Sequence, residues 1–138
     1  MTITMNGKEY DIKFENKETA KAGLVSKIVK IASMAEDSDD IEMTVSAMEK
    51  AYLILPEMLL VGLQHNYRKE FGYVTNAERA NKLAVVEAML EHYVTEEEQD
   101  YTQLFSELQE ELLTNGFLAQ RFKALFAEME ATNKNNKK

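Results

Sequence analysis

Asn6-Gly7 stands between two short runs of alternating apolar residues, Ile3 and Met5 before it and Tyr10, Ile12 and Phe14 after it. A tight two-residue hairpin turn needs two successive left-handed residues, and Asn-Gly supplies them with little strain. Alternation then puts Tyr10, Ile12 and Phe14 on one face. A lone two-stranded ribbon is marginal in water, so that face must be covered, either by helices of the same chain or by another chain.

Helices are what the remaining sequence predicts. From Thr19 the apolar period changes: Leu24, Val25, Ile28, Ile31, Ala32 and Ala35 recur at steps of three and four, with Lys21, Lys27 and Lys30 on other faces. The acidic run Glu36-Asp37-Ser38-Asp39-Asp40 ends this first helix, and Asp39, three residues before Glu42, is the predicted N-cap of a second. Ile41, Val45, Met48, Tyr52, Leu55 and Leu59 form a heptad-like stripe, predicted to pack against one or two neighbouring helices. Pro56 predicts a kink there or a new helix over residues 56–71, stopped at Gly72.

Thr75-Asn76-Ala77-Glu78 reads as a capping box opening a helix with Leu83, Val86, Leu90 and Tyr93 inward, and Thr95-Glu96-Glu97-Glu98 repeats the signal. The helix after it carries Tyr101, Leu104, Phe105, Leu108 and Leu112 and stops at Asn115-Gly116. Phe117, Leu118, Phe122, Leu125, Phe126 and Met129 imply a last amphipathic helix, while residues 132–138 are polar and basic with nothing to bury, a disordered tail. The expected fold is mainly α: an N-terminal hairpin over residues 2–14, then about five to six amphipathic helices, in one domain over residues 1–131.

Composition narrows the chemistry. With no Cys there is no disulfide, thiolate metal site or thiol nucleophile. Sixteen Lys and Arg against twenty-four Asp and Glu leave a charge of −8, which argues against nucleic acid and anionic membranes as partners. Residues 1–9 lack the basic and apolar regions of a secretory signal, and the weakly charged stretch 51–66 is too short to span a bilayer. His65 and His92 have no partner at metal-ligand spacing. Glu96, Glu97, Glu98 and Asp100 lack the spacing of a calcium loop and are expected at a helix N-terminus, where the dipole favours negative charge. No nucleophile elbow, phosphate loop or dinucleotide fingerprint occurs, so no catalytic, cofactor or metal residues are assigned and no enzyme is expected.

Charge is unevenly placed. Between Lys82 and Arg121 lie nine acids and no Lys or Arg, whereas residues 1–35 hold six Lys against four acids. An acidic helical stretch is either a solvated face or an electrostatic guide for a basic helical partner, with neighbouring apolar side chains making contact. On that second reading the candidate partner-binding residues are Leu104, Phe105, Leu108, Leu112, Phe117, Phe122 and Phe126, flanked by Glu107, Glu110 and Glu111; the alternative for most of the apolar ones is a place in the core. The hairpin's first strand, Thr2, Ile3, Thr4 and Met5, is a candidate edge for joining copies into an oligomer. Met34, Met43, Met48, Met58, Met89 and Met129 fall inside predicted helices, as core filler or as the lining of an adaptable groove.

The Ile3-Thr4-Met5-Asn6-Gly7-Lys8-Glu9-Tyr10-Asp11-Ile12-Lys13-Phe14 hairpin, the helical middle, and Asn115-Gly116-Phe117-Leu118 in the acidic C-terminal part together resemble the tail assembly chaperones of long-tailed, siphovirus-type bacteriophages and prophages of Gram-positive hosts. The resemblance covers most of the chain. It implies a non-catalytic protein without cofactor that keeps the long helical tape measure protein soluble and is displaced by tail tube subunits. It also implies a place in the host cytoplasm and absence from the mature virion. The family often makes a longer form by ribosomal frameshifting, and the Asn133-Lys134-Asn135-Asn136-Lys137-Lys138 end requires A-rich codons that permit slippage. The same acidic helices also suit a protein-binding adaptor or regulator of phage or host origin, which gene neighbourhood would distinguish.

Overall fold

The computed structural model describes residues 1–36 and 40–115. Asp39, the helix expected after Gly116 and the tail over residues 132–138 lie outside them. The chain begins as the expected hairpin: β1 (Thr2–Met5) pairs antiparallel with β2 (Lys8–Asp11), from Met5 opposite Lys8 to Thr2 opposite Asp11. Asn6 and Gly7 turn the chain with φ of 55° and 75°, the paired positive angles that this two-residue turn requires. Ile3, Met5, Tyr10, Ile12 and Phe14 are all buried on the face that alternation marked.

The cover is helical. α1 (Asn16–Ala22) and α2 (Leu24–Glu36) replace the single helix expected from Thr19. Gly23, at φ 63°, ends α1 in a left-handed cap, its N–H bonding to the Ala20 carbonyl, and Leu24 starts again in a new direction. Leu24 and Ile28 are fully buried and Ile31 nearly so, so α2 keeps the three-four stripe that its sequence shows.

α3 (Ile41–Gln64) is the axis of the molecule, about 36 Å long. Its N-cap is Asp40, whose carboxylate accepts from the Glu42 N–H at 3.0 Å. Pro56 lies inside this helix, and no new helix starts there. A mid-helix proline costs about 3 kcal/mol. Around it Leu55, Met58, Leu59 and Leu60 are at most 1% exposed, and burying each such side chain contributes about 1.5–3 kcal/mol, so the packed helix outweighs the break. The chain turns instead after His65, leading into the single turn α4 (Arg68–Phe71).

α5 (Asn76–Thr95) opens with the expected cap, Thr75 Oγ1 accepting from the Glu78 N–H, while the Glu78 carboxylate reaches one residue further back than in a capping box and accepts from the Val74 N–H. The second box is not formed. Thr95 is the last residue of α5, its hydroxyl donating to Glu91, and Glu98 turns the chain at φ 53°. α6 (Tyr101–Asn115) is started by Asp100, which accepts from the backbone N–H and the hydroxyl of Thr102. Contrary to the expectation from sequence, the four acids of this stretch do not share a helix N-terminus. Glu96 sits at the C-terminal end of α5, and only Asp100 caps a helix; its carboxyl lies below the usual range because Thr102 donates to it.

α2, α4, α5 and α6 all pack on α3. α2 runs antiparallel to it, Lys27 pairing with Glu57 at one end and Met34 lying beside Met43 at the other. α6 runs in the same sense as α3, from Tyr101, whose ring meets Tyr52 edge-on at 5.1 Å, to Asn115 beside His65. Tyr10 of the hairpin packs edge-on against Tyr67 and Phe71. Among the described residues no helix is long and apolar enough to cross a membrane.

Candidate partner-binding surface

The residues singled out on α6 are divided by the fold. Leu104, Phe105, Leu108 and Leu112 are buried at 1, 8, 0 and 2% exposure, within the core that α3 organises. As the protein is folded they hold α6 in place, the core role that the sequence also allowed them, and are not exposed to a partner. The three-four stripe that looked available for a client is the stripe that α6 needs for its own packing. Glu107 and Glu110 are exposed and Glu111 half-buried, while Phe117, Phe122 and Phe126 lie outside the described residues.

The acidic block is in part structural. Glu91 accepts from the Tyr52 hydroxyl at 2.9 Å and so ties α5 to α3, and Glu97 accepts from the Asn6 N–H at 2.8 Å and so ties the α5–α6 connection to the hairpin turn. The Glu91 bond, with partial burial, raises the Tyr52 phenol above its ordinary value. Burial, then the charges of Glu107, Glu97 and Asp100, raises Tyr93.

Exposed apolar side chains occur instead on α2 and α3. Leu53 is 73% exposed and Val29 45%, with Met43 at 39%. Two adjoining depressions run along this face and share Lys30 and Met34. One, about 330 Å³, lies between Ile31 of α2 and Leu53 and Ile54 of α3; the other, about 390 Å³, joins Val29 and Met43. Lys27, Lys30 and Lys50 rim the first depression, where the one acid, Glu57, already accepts from Lys27 at 3.1 Å and Arg79 at 3.3 Å. The sequence offers Met34 and Met43 as lining of an adaptable groove, and both line this one, but Leu53 is not singled out there. The signal was present: three successive apolar residues, Leu53-Ile54-Leu55, cannot all face one side of a helix, and Leu53 is the one turned out.

A second uncovered stripe occupies the other side of α3, where Ile41, Val45 and Met48 are exposed while Leu55 and Leu59, further along the heptad-like line, are fully buried. α6 begins beside Met48, its Tyr101 hydroxyl donating to the Met48 carbonyl, so among the described residues only the later half of the expected stripe is covered.

The hairpin edge has a defined state. Ile12 N–H donates to the Met1 carbonyl at 2.8 Å, which makes those two a hydrogen-bonded pair. Alternation then makes Ile3/Tyr10 and Met5/Lys8 bonded pairs and points the backbone groups of Thr2 and Thr4 away from β2. No partner for these groups occurs among the described residues. The opposite edge is closed at Asp11, whose N–H donates to the Tyr67 hydroxyl and whose carbonyl accepts from Asn66 Nδ2.

Another depression, about 540 Å³, lies between the hairpin exit, the start of α1 and the end of α6. On its wall Glu15 is held by His65 Nδ1 at 2.5 Å and by Arg68 at 3.2 Å. The His65 hydrogen bond, aided by the Arg68 charge and opposed by partial burial, lowers the Glu15 carboxyl below its ordinary range. This cluster fastens the hairpin exit to the end of α3. Among the described residues no three of His, Asp and Glu gather as a metal site. Comparison with protein-family models, with curated proteins and with solved structures gives no significant match.

Proposed function

We propose that this chain is a non-catalytic chaperone of phage tail assembly, which keeps the helical tape measure protein soluble in the bacterial cytoplasm, helps recruit tail tube protein and is left out of the finished virion. The observation that supports the reading is the open apolar groove along α2 and α3, with Leu53 largely exposed at its lip. A long amphipathic client aggregates through its apolar stripes, and a small protein that offers a complementary stripe shields one stretch of it. Many copies along one client add their weak contacts. The unpaired β1 edge suits such an array: Thr2 of one copy would bond to Thr4 of a second around facing Ile3 residues, an isologous four-stranded sheet.

The test is coexpression with the tape measure protein of a siphovirus-type phage. Wild type is expected to keep that client in the soluble fraction, and Leu53→Asp to lose the effect while remaining folded. Equal aggregation of the client with and without the protein would overturn the proposal.

A further inference from the structure

We infer that the α2–α3 groove is selective for an amphipathic helix whose apolar stripe is flanked by acidic residues. The inference rests on the helix-binding part of the proposed function and adds the chemistry of the guest. The floor is apolar, from Val29 through Met34 to Leu53. From Met43 to Leu53 it extends ten residues along α3, about 15 Å, or three turns of a guest helix. Around the depression between Ile31 and Leu53 its rim is basic although the whole protein carries −8. Lys27 is engaged by Glu57, but Lys30 and Lys50 have no ion-pair partner among the described residues.

Glu57 cannot neutralise them as well, because Arg79 already shares its carboxylate. Two unpaired ammonium groups therefore border the apolar floor, one on each helix, where a guest's acids at positions three and four from its apolar stripe would reach them. None of the acids of α6 lines either depression. At physiological salt the screening length is about 8 Å, so the charges bordering the floor govern recognition.

The experiment uses the full chain and three dye-labelled helical peptides of about five turns, followed by fluorescence anisotropy. All carry one Leu stripe at three-four spacing, flanked by Glu, by Lys or by Gln. Wild type is expected to bind the Glu-flanked peptide most tightly. Lys30→Glu with Lys50→Glu should weaken that peptide roughly tenfold and shift preference to the Lys-flanked one. Leu53→Asp should abolish binding of all three. The three substituted side chains are exposed, and unchanged circular dichroism and melting would verify folding. If the peptides bind wild type equally and all are lost in Leu53→Asp, the acidic preference is overturned and helix binding stands. If none binds, or binding survives Leu53→Asp, the groove is not the dock and both readings fall.

Discussion

The backbone N–H of Lys13 donates to the carbonyl of Gly62 at 2.9 Å, joining the hairpin's exit to the last turn of α3. Carbonyls there lack partners within the helix, so the hairpin caps what the helix leaves open. The approach depends on residue 62 having no side chain: a Cβ built there would stand 2.7 Å from Ile12 Cγ2 and 3.4 Å from the Phe14 ring. Ile12 is 2% exposed and β-branched, so it has little room to move.

Gly62→Ala is therefore expected to destabilise the protein. Overpacking costs typically about 1–3 kcal/mol, and alanine's better helix propensity returns about 1, leaving a net loss of up to about 2 kcal/mol. Urea unfolding would measure it, and equal or greater stability would show that the hairpin does not sit on α3 as described.

Much of the fold was legible because it rests on local rules. Asn6-Gly7, the alternation around it and the Thr75 cap depend on a few neighbouring residues, and each forms as read. The misread points are those where tertiary packing outweighs a local signal. Pro56 reads as a break, yet the buried leucines beside it keep α3 whole. Thr95 reads as a cap because Glu98 follows at the right distance, but α5 continues to Thr95 and leaves Asp100 to start α6. For the candidate surface, sequence shows which residues form a stripe but not which stripe finds a neighbour. Leu108 and Leu53 are both helical leucines; one is fully buried and the other 73% exposed.

That contrast separates packing from binding. Leu108→Ala is expected to cost about 2–5 kcal/mol through lost burial and the cavity left behind. Leu53→Ala, at the surface, should change stability by about 0.5 kcal/mol or less. Thermal melts of the two variants check this, and comparable losses would refute the assigned burial.

Glu15 links stability to pH. Its carboxyl is held below the ordinary range in the folded protein, by the His65 hydrogen bond first and the Arg68 charge as well. A group with a lowered folded pKa binds more protons when unfolded. Its stabilisation is thus present above the unfolded value and is lost as pH falls through the folded one. Glu15→Gln should lower stability at neutral pH and flatten the decline between about pH 5 and pH 3. Denaturant titrations across that interval test the sign; an unaltered slope would mean the cluster does not act as a fastener.

The β1 edge yields the last prediction. Natural sheets commonly guard an open edge with charges, proline or a covering element. β2 carries Lys8, Glu9 and Asp11 and is closed at Asp11, whereas β1 reads Thr-Ile-Thr-Met and leaves the outward groups of Thr2 and Thr4 unpaired among the described residues. If copies join there in the antiparallel register centred on Ile3, residue 2 of one chain faces residue 4 of the other. Thr2→Lys with Thr4→Lys would then set like charges opposite each other twice while leaving the inward Ile3 and Met5 untouched. Sedimentation should show wild type associating as concentration rises and the double variant remaining monomeric with an unchanged melt. A wild type that stays monomeric throughout would mean that this edge does not join copies.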